Sequence, residues 1–179
     1  MPDLQTLRRR IEAQGFMCLT NDEVDALNLW LRFAPTLCLV WVVIGVIAAS
    51  PPILLALFPF ALLGGLLTGH PFDVIYNHGI RHILRLPEIP PYGRPRRFAC
   101  LMASLMIASA AAAFYLGYEK VGYSIGGLMI AMATIQVATG FCVPSLIHNL
   151  IFGQPGCDID PNSEPPEKKF ESIPPLWPK

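Results

Sequence analysis

The chain has 179 residues, 53% of them hydrophobic and 15% charged, with a mean hydropathy of +0.47. A soluble domain carries about 25% charged residues, so this composition excludes an ordinary water-soluble fold and makes lipid the solvent for much of the chain. Lys plus Arg (13) balance Asp plus Glu (13), so the basic excess that a nucleic-acid partner needs is missing.

Residues 1–20 form an N-terminal segment expected at the cytoplasmic interface. Leu4, Leu7 and Ile11 repeat at helical spacing beside Arg8, Arg9 and Arg10, and Gly15 is a natural stop. Such a helix would lie on the membrane with its arginines toward anionic headgroups, or would fray as a basic terminus. Thr20-Asn-Asp-Glu23 fits a capping box. The helix it opens is expected to run unbroken into the first span, about 27–49, with Trp30 and Arg32 at the interface and a bend at Pro35. The acidic Asp22, Glu23 and Asp25 precede this run, so it reads as a retained span, not a cleaved signal.

Ser50-Pro51-Pro52 ends that span. A second apolar run covers 53–69, near the lower length limit for crossing a bilayer. Its Gly65-x-x-x-Gly69 would admit a close helix neighbour. Residues 70–97 are polar and proline-rich and form the central loop. The third and fourth spans are expected at about 98–118 and 121–143, joined at Glu119 and Lys120. Ser104, Ala108 and Ala112 on one, and Gly122-x-x-x-Gly126 on the other, should pack together. After Pro144 a kinked interfacial helix continues to Phe152. Residues 153–179 hold many prolines and charges without periodicity and read as a disordered tail.

The fold class is therefore all-α: a four-helix transmembrane bundle over 21–152, with a short interfacial helix before it and a Pro-rich tail after it. Arginines cluster in the N-terminal segment and the central loop, while the two opposite turns hold only Lys120. The positive-inside rule then puts both termini and the central loop in the cytoplasm.

Two constellations carry chemistry. Cys100 and Cys142 fall at nearly the same depth when counted outward from the Glu119–Lys120 turn, and Arg96 and Arg97 precede Cys100 where they would favour a thiolate. A cytoplasm-facing dithiol is one reading; small residues filling helix contacts is the other. His78 and His82 share a helix face in the loop, with His70 and Asp73 nearby. A stable metal site wants three or four ligands, so no metal and no cofactor is expected, and these histidines are only weak candidates. Asp73 is expected to pair with Arg81 or Arg97. Gln136 and Thr139 are the main polar groups of the fourth span, too few for a proton path or carrier.

The stretches GHPFDVIYNHGIRH, LPEIPPYGRPRRFAC and GFCVPS together resemble a family of small bacterial multi-pass membrane proteins of unknown function. The resemblance runs from about Leu29 to Asn149. Its family-type positions here are His70, Pro71, Asp73, Tyr76, His78, Pro90, Arg97, Cys100, Cys142 and Pro144. It implies the bacterial inner membrane and no established activity. It also implies thioredoxin-like or rhodanese-like sulfur proteins as partners, which lends support to the thiol reading. The thin inventory of catalytic groups favours a non-catalytic accessory or scaffold subunit, with a protein partner in the membrane or at its cytoplasmic face. The alternative is a thiol-based redox or sulfur-handling protein using Cys100 and Cys142.

Overall fold

A computed structural model describes residues 4–16, 19–84 and 87–153, and these are helical with short connections. The tail from 154 onward, Cys18 and Cys157 lie outside the described residues. Three helices are long and apolar enough to cross a membrane: Trp30–Ile47, Arg94–Tyr115 and Glu119–Thr139. A further pair, Pro51–Leu66 and Pro71–Ile83, passes the same test only when joined across an 82° bend.

The chain begins with α1 (Leu4–Ala13), which stops where Gly15 takes a φ of +90°. Helix α2 (Asn21–Leu27) opens on the capping box: Glu23 N–H donates to Thr20 Oγ1 at 3.3 Å, and Thr20 N–H donates to Glu23 Oε2 at 2.9 Å. Thr20→Ala removes the acceptor for an orphan helix N–H, so a loss of about 1 kcal/mol is expected. A detergent thermal melt checks it, and an unchanged midpoint would mean that α2 is held by packing alone.

The chain does not run on as one helix from there. It breaks at Asn28 and Leu29, makes a 3-10 turn at Trp30–Arg32, and only then enters α3 (Phe33–Ile47). Pro35 falls in the first turn of α3, where no intrahelical hydrogen bond is lost, so it opens the helix instead of bending it. The turn after α3 passes through Ala49 at φ +43°, and Pro51 and Pro52 start α4 (Pro51–Leu66).

The expected central loop is mostly ordered. Helix α5 (Pro71–Ile75), a π-helical turn (Tyr76–Ile80) and α6 (Arg81–Leu84) follow one another. Helix α7 (Arg94–Tyr115) begins four residues earlier than hydropathy suggested, because Gly93 and Pro95 make a good helix start and hydropathy cannot see it. Helix α8 (Glu119–Thr139) ends where Gly140 turns left-handed at φ +72°, short of the expected end at Val143. Cys142 then caps the separate helix α9 (Val143–Phe152).

Packing closes a ring: α3 on α4, α4 on α7, α7 on α8 and α8 on α3. Glycines set the close approaches. A Cβ at Gly122 would stand 2.7 Å from the Phe114 ring, one at Gly126 would strike Val46, and one at Gly65 would stand 2.6 Å from Leu101. The glycine pair of α8 therefore serves two neighbours, α7 and α3. Gly69 faces nothing within 4 Å. The buried line of α7 runs through Ser104, Ile107, Ala111 and Phe114; Ala108 is half-buried and Ala112 exposed.

A second core sits over one end of this ring. Leu7, Ile11, Phe16, Val24, Leu27 and Leu31 pack with Tyr76, Ile89 and Tyr92. The N-terminal segment is thus neither a frayed terminus nor a lipid-facing helix. It is a cap that buries its apolar stripe against the central loop.

Candidate functional site

Arginines organise the capped end, because helices that end there leave C-terminal carbonyls without partners. Arg32 donates to the carbonyls of Val137 and Ala138 at 2.9 Å each, and Arg10 to that of Thr139 at 2.7 Å. Arg97 donates to Gly65 and Leu66 at 3.1 and 2.8 Å, closing α4. Arg81 pairs with Glu88. Neither Arg81 nor Arg97 is left for Asp73, the pairing expected from sequence. Both have nearer acceptors, and Asp73 is only 5% exposed. The Tyr92 phenol faces the Asp73 carboxyl, yet Oδ2 has no hydrogen-bond partner among the described residues. Burial holds this carboxyl above its usual range.

Arg96 is used differently. It is 3% exposed and lies at the heart of the second core. Its guanidinium donates to Gln14 Oε1 and, at 3.0 Å, to the Leu31 carbonyl. It lies 5.1 Å from the Phe16 ring centre and 4.9 Å from that of Tyr92. Gln14 in turn donates to the Gly140 carbonyl at 2.7 Å. One cation thus ties the N-terminal segment, the 3-10 turn before α3, the central loop and, through Gln14, the end of α8 together.

Below Arg96 a cavity of about 120 Å³ runs between α3, α4, α7 and α8. Its polar end is formed by Arg96, Tyr92, His70, Cys38 and Cys100. The central loop reaches this end because it is pinned down: Tyr92 N–H donates to the Thr68 carbonyl at 2.6 Å, Ile89 N–H to Asn77 Oδ1 at 3.0 Å, and Tyr76 hydroxyl to the Pro87 carbonyl at 3.0 Å.

His70 caps α5. Its Nδ1 accepts from Phe72 N–H at 3.3 Å. Burial, helped by the charge of Arg96, pushes this imidazole down to about 4, so it is neutral at pH 7. With Nδ1 an acceptor, the ring proton belongs on Nε2. Nε2 stands 3.8 Å from Cys38 Sγ. The sulfur is therefore the acceptor, and His70 is placed to steady a sulfur that gains negative charge. Cys100 reaches the same place from the other side. A Cβ on Gly64 would meet both His70 Cδ2 and, at 3.3 Å, Cys100 Sγ.

Cys38, Cys100 and Cys142 are free thiols. Cys142, at 4% exposure, is buried near Arg96 and Cys100, but the cavity wall does not include it. His78 and His82 stand exposed on the central loop, separated by the π-helical turn that upsets i, i+4 alignment. His78 Nδ1 lies 3.2 Å from its own helix carbonyl at Val74. Among the described residues no three His, Cys, Asp or Glu side chains gather as metal ligands. Tyr76 is fully buried against Trp30, at 5.1 Å between ring centres.

Sequence reasoning missed Cys38, which sits mid-helix among apolar neighbours and looks like filler. It also missed Tyr92. The available signal was Tyr92-Gly-Arg-Pro-Arg96, a helix start with a glycine that must admit another backbone.

The fold and the thiol-bearing cavity define a helical membrane protein built of apolar helices around a polar, arginine-rich end. Residues 28–152 match a family described as a domain of unknown function, DUF4395, and the chain belongs to that family. No curated protein and no solved structure matches the chain.

Proposed function

We propose that this is a thiol-based redox or sulfur-handling membrane protein whose reactive group is Cys38 and Cys100 beside His70. The reading puts it in a bacterial inner membrane with four helical passes and both termini cytoplasmic, which the arginine distribution supports. The observation that carries it is the convergence of two thiols from different helices and one neutral imidazole on a single cavity end. Cys38 takes the place that Cys142 held in the sequence-based pairing. Oxidation of the pair would join the two sulfurs and release two protons and two electrons to a disulfide or another two-electron acceptor. A thioredoxin-like or rhodanese-like partner would meet these half-buried cysteines beside the N-terminal cap.

Alkylation tests the proposal. In a background with Cys18 and Cys157 changed to serine, a small permeant maleimide should label Cys38 and Cys100, and prior oxidant should protect both at once. Cys38→Ser should then leave Cys100 unprotected, while Cys142→Ser should change nothing. Inert thiols that never cross-link would sink the reading. The accessory-subunit reading keeps one observation in its favour: Gly127, on α8, faces open space, beside exposed Tyr123 and Leu128. A mild-detergent pull-down that recovers only free monomer would count against it.

A further inference from the structure

A buried cation in a membrane protein is costly unless something compensates it. Among the described residues, the ion pairs are Arg8–Glu12 and Arg81–Glu88, and neither involves Arg96. Hydrogen bonds to Gln14 and Leu31 occupy two of its N–H groups, while a guanidinium has five. The cavity that Arg96 lines holds no Asp or Glu; its other polar walls are Tyr92, His70, Gln136 and thiols. Asp73, buried nearby, is not in that wall.

The shape of the lining says where a ligand comes from. At the polar end His70, Tyr92 and Arg96 are 3%, 5% and 3% exposed, and Cys38 and Cys100 are half-buried. Half-buried lining residues include Leu39, Met102, Met106 and Met132, within helices long and apolar enough to cross a membrane, and Ala99, Gln136 and Pro144 nearer the capped end. Leu39, Met102, Met106 and Met132 thus give the cavity a side that faces lipid. The walls below Arg96 are apolar and rich in methionine, a side chain that adapts to irregular apolar ligands. By the measure in which one water needs about 10–15 Å³, the cavity takes a head group and the first part of a chain.

We infer that this cavity binds a fatty-acid-class amphiphile from the bilayer, its carboxylate on Arg96 and its chain leaving between α3, α7 and α8. Two N–H groups of a guanidinium match a carboxylate in a bidentate fork, which a neutral head group does not. The inference does not depend on the thiols being reactive.

The test uses the full chain in nanodiscs with a diazirine-bearing fatty acid and, separately, its methyl ester. The acid should cross-link to peptides containing Met102–Met106 and Met129–Met132, and unlabelled fatty acid should compete. The ester should bind about tenfold more weakly, the loss expected for one charge-assisted contact. Ala103→Leu and Ala133→Leu fill the cavity and should abolish the labelling. The contrast between acid and ester needs no variant, so a misfolded mutant cannot rescue or sink the idea. Equal labelling by acid and ester, better competition by a quinone, or labelling that ignores the cavity-filling variants would each overturn it.

Discussion

Replacing Arg96 with methionine should release the N-terminal cap and cost about 2–4 kcal/mol. The change strips the donor from the buried Leu31 carbonyl and Gln14 side chain, at about 1–3 kcal/mol for each group left unsatisfied. It also removes two ring contacts, at 5.1 and 4.9 Å, which together add roughly 1–2 kcal/mol. Part of this is offset, because the variant no longer has to desolvate a guanidinium. The four-helix ring has its own core, centred on Leu54, Leu57, Ile107 and Ala111, so it should stay helical while the cap detaches. Limited proteolysis should then cut between residues 14 and 31, and maleimide should reach Cys100 faster than in the wild type. Arg96→Lys should fall between the two, since an ammonium cannot lie flat between Phe16 and Tyr92. An unchanged melt with an unchanged proteolytic pattern would show that Arg96 is not the tie.

Gly93→Ala should break the same joint from the other side. Gly15 and Gly93 cross backbone to backbone, and a Cβ on Gly93 would fall well inside van der Waals contact with the Gly15 carbonyl oxygen. Rigid backbone stands in the way, not the end of a flexible side chain, so the two segments must part. Overpacking of this kind costs about 1–3 kcal/mol. Gly15→Ala should act similarly, because its Cβ would meet Pro95 Cδ at 2.9 Å and its φ is +90°. Combined with Arg96→Met, the Gly93 change should add less than its single effect, because both release one cap. Full additivity in denaturation of the double variant would mean that the cap is not a cooperative unit.

These two residues show why the site was only half legible. Cys100 and His70 could be marked from sequence, because a cysteine after an arginine pair and a histidine before a proline are local patterns. Their actual neighbours were not local. Cys38 lies 32 residues from His70, and Gln14 lies 82 residues from Arg96. No spacing rule connects such positions. The depth count took α8 as straight to Val143; the left-handed Gly140 ends it earlier and puts Cys142 at the N-cap position of α9, still near Cys100 but outside the cavity wall. The arginines misled in the same way. Arg10, expected to face lipid headgroups, and Arg32, expected at the interface, bind helix carbonyls, and so does Arg97, expected beside Cys100 or Asp73.

By itself the sequence determined that this is an all-helical protein of the membrane, where its apolar helices run, and that Thr20 opens α2. Those features depend on hydropathy and on groups a few residues apart, and both are written along the chain. Only the tertiary structure decided that the N-terminus is a cap, that Arg96 is its tie, and that Cys38 rather than Cys142 shares a cavity with Cys100. Each depends on which helix faces arrive at one point in space. That is set by glycines where helices cross and by carbonyls that need donors, and neither is visible until the chain has closed its ring.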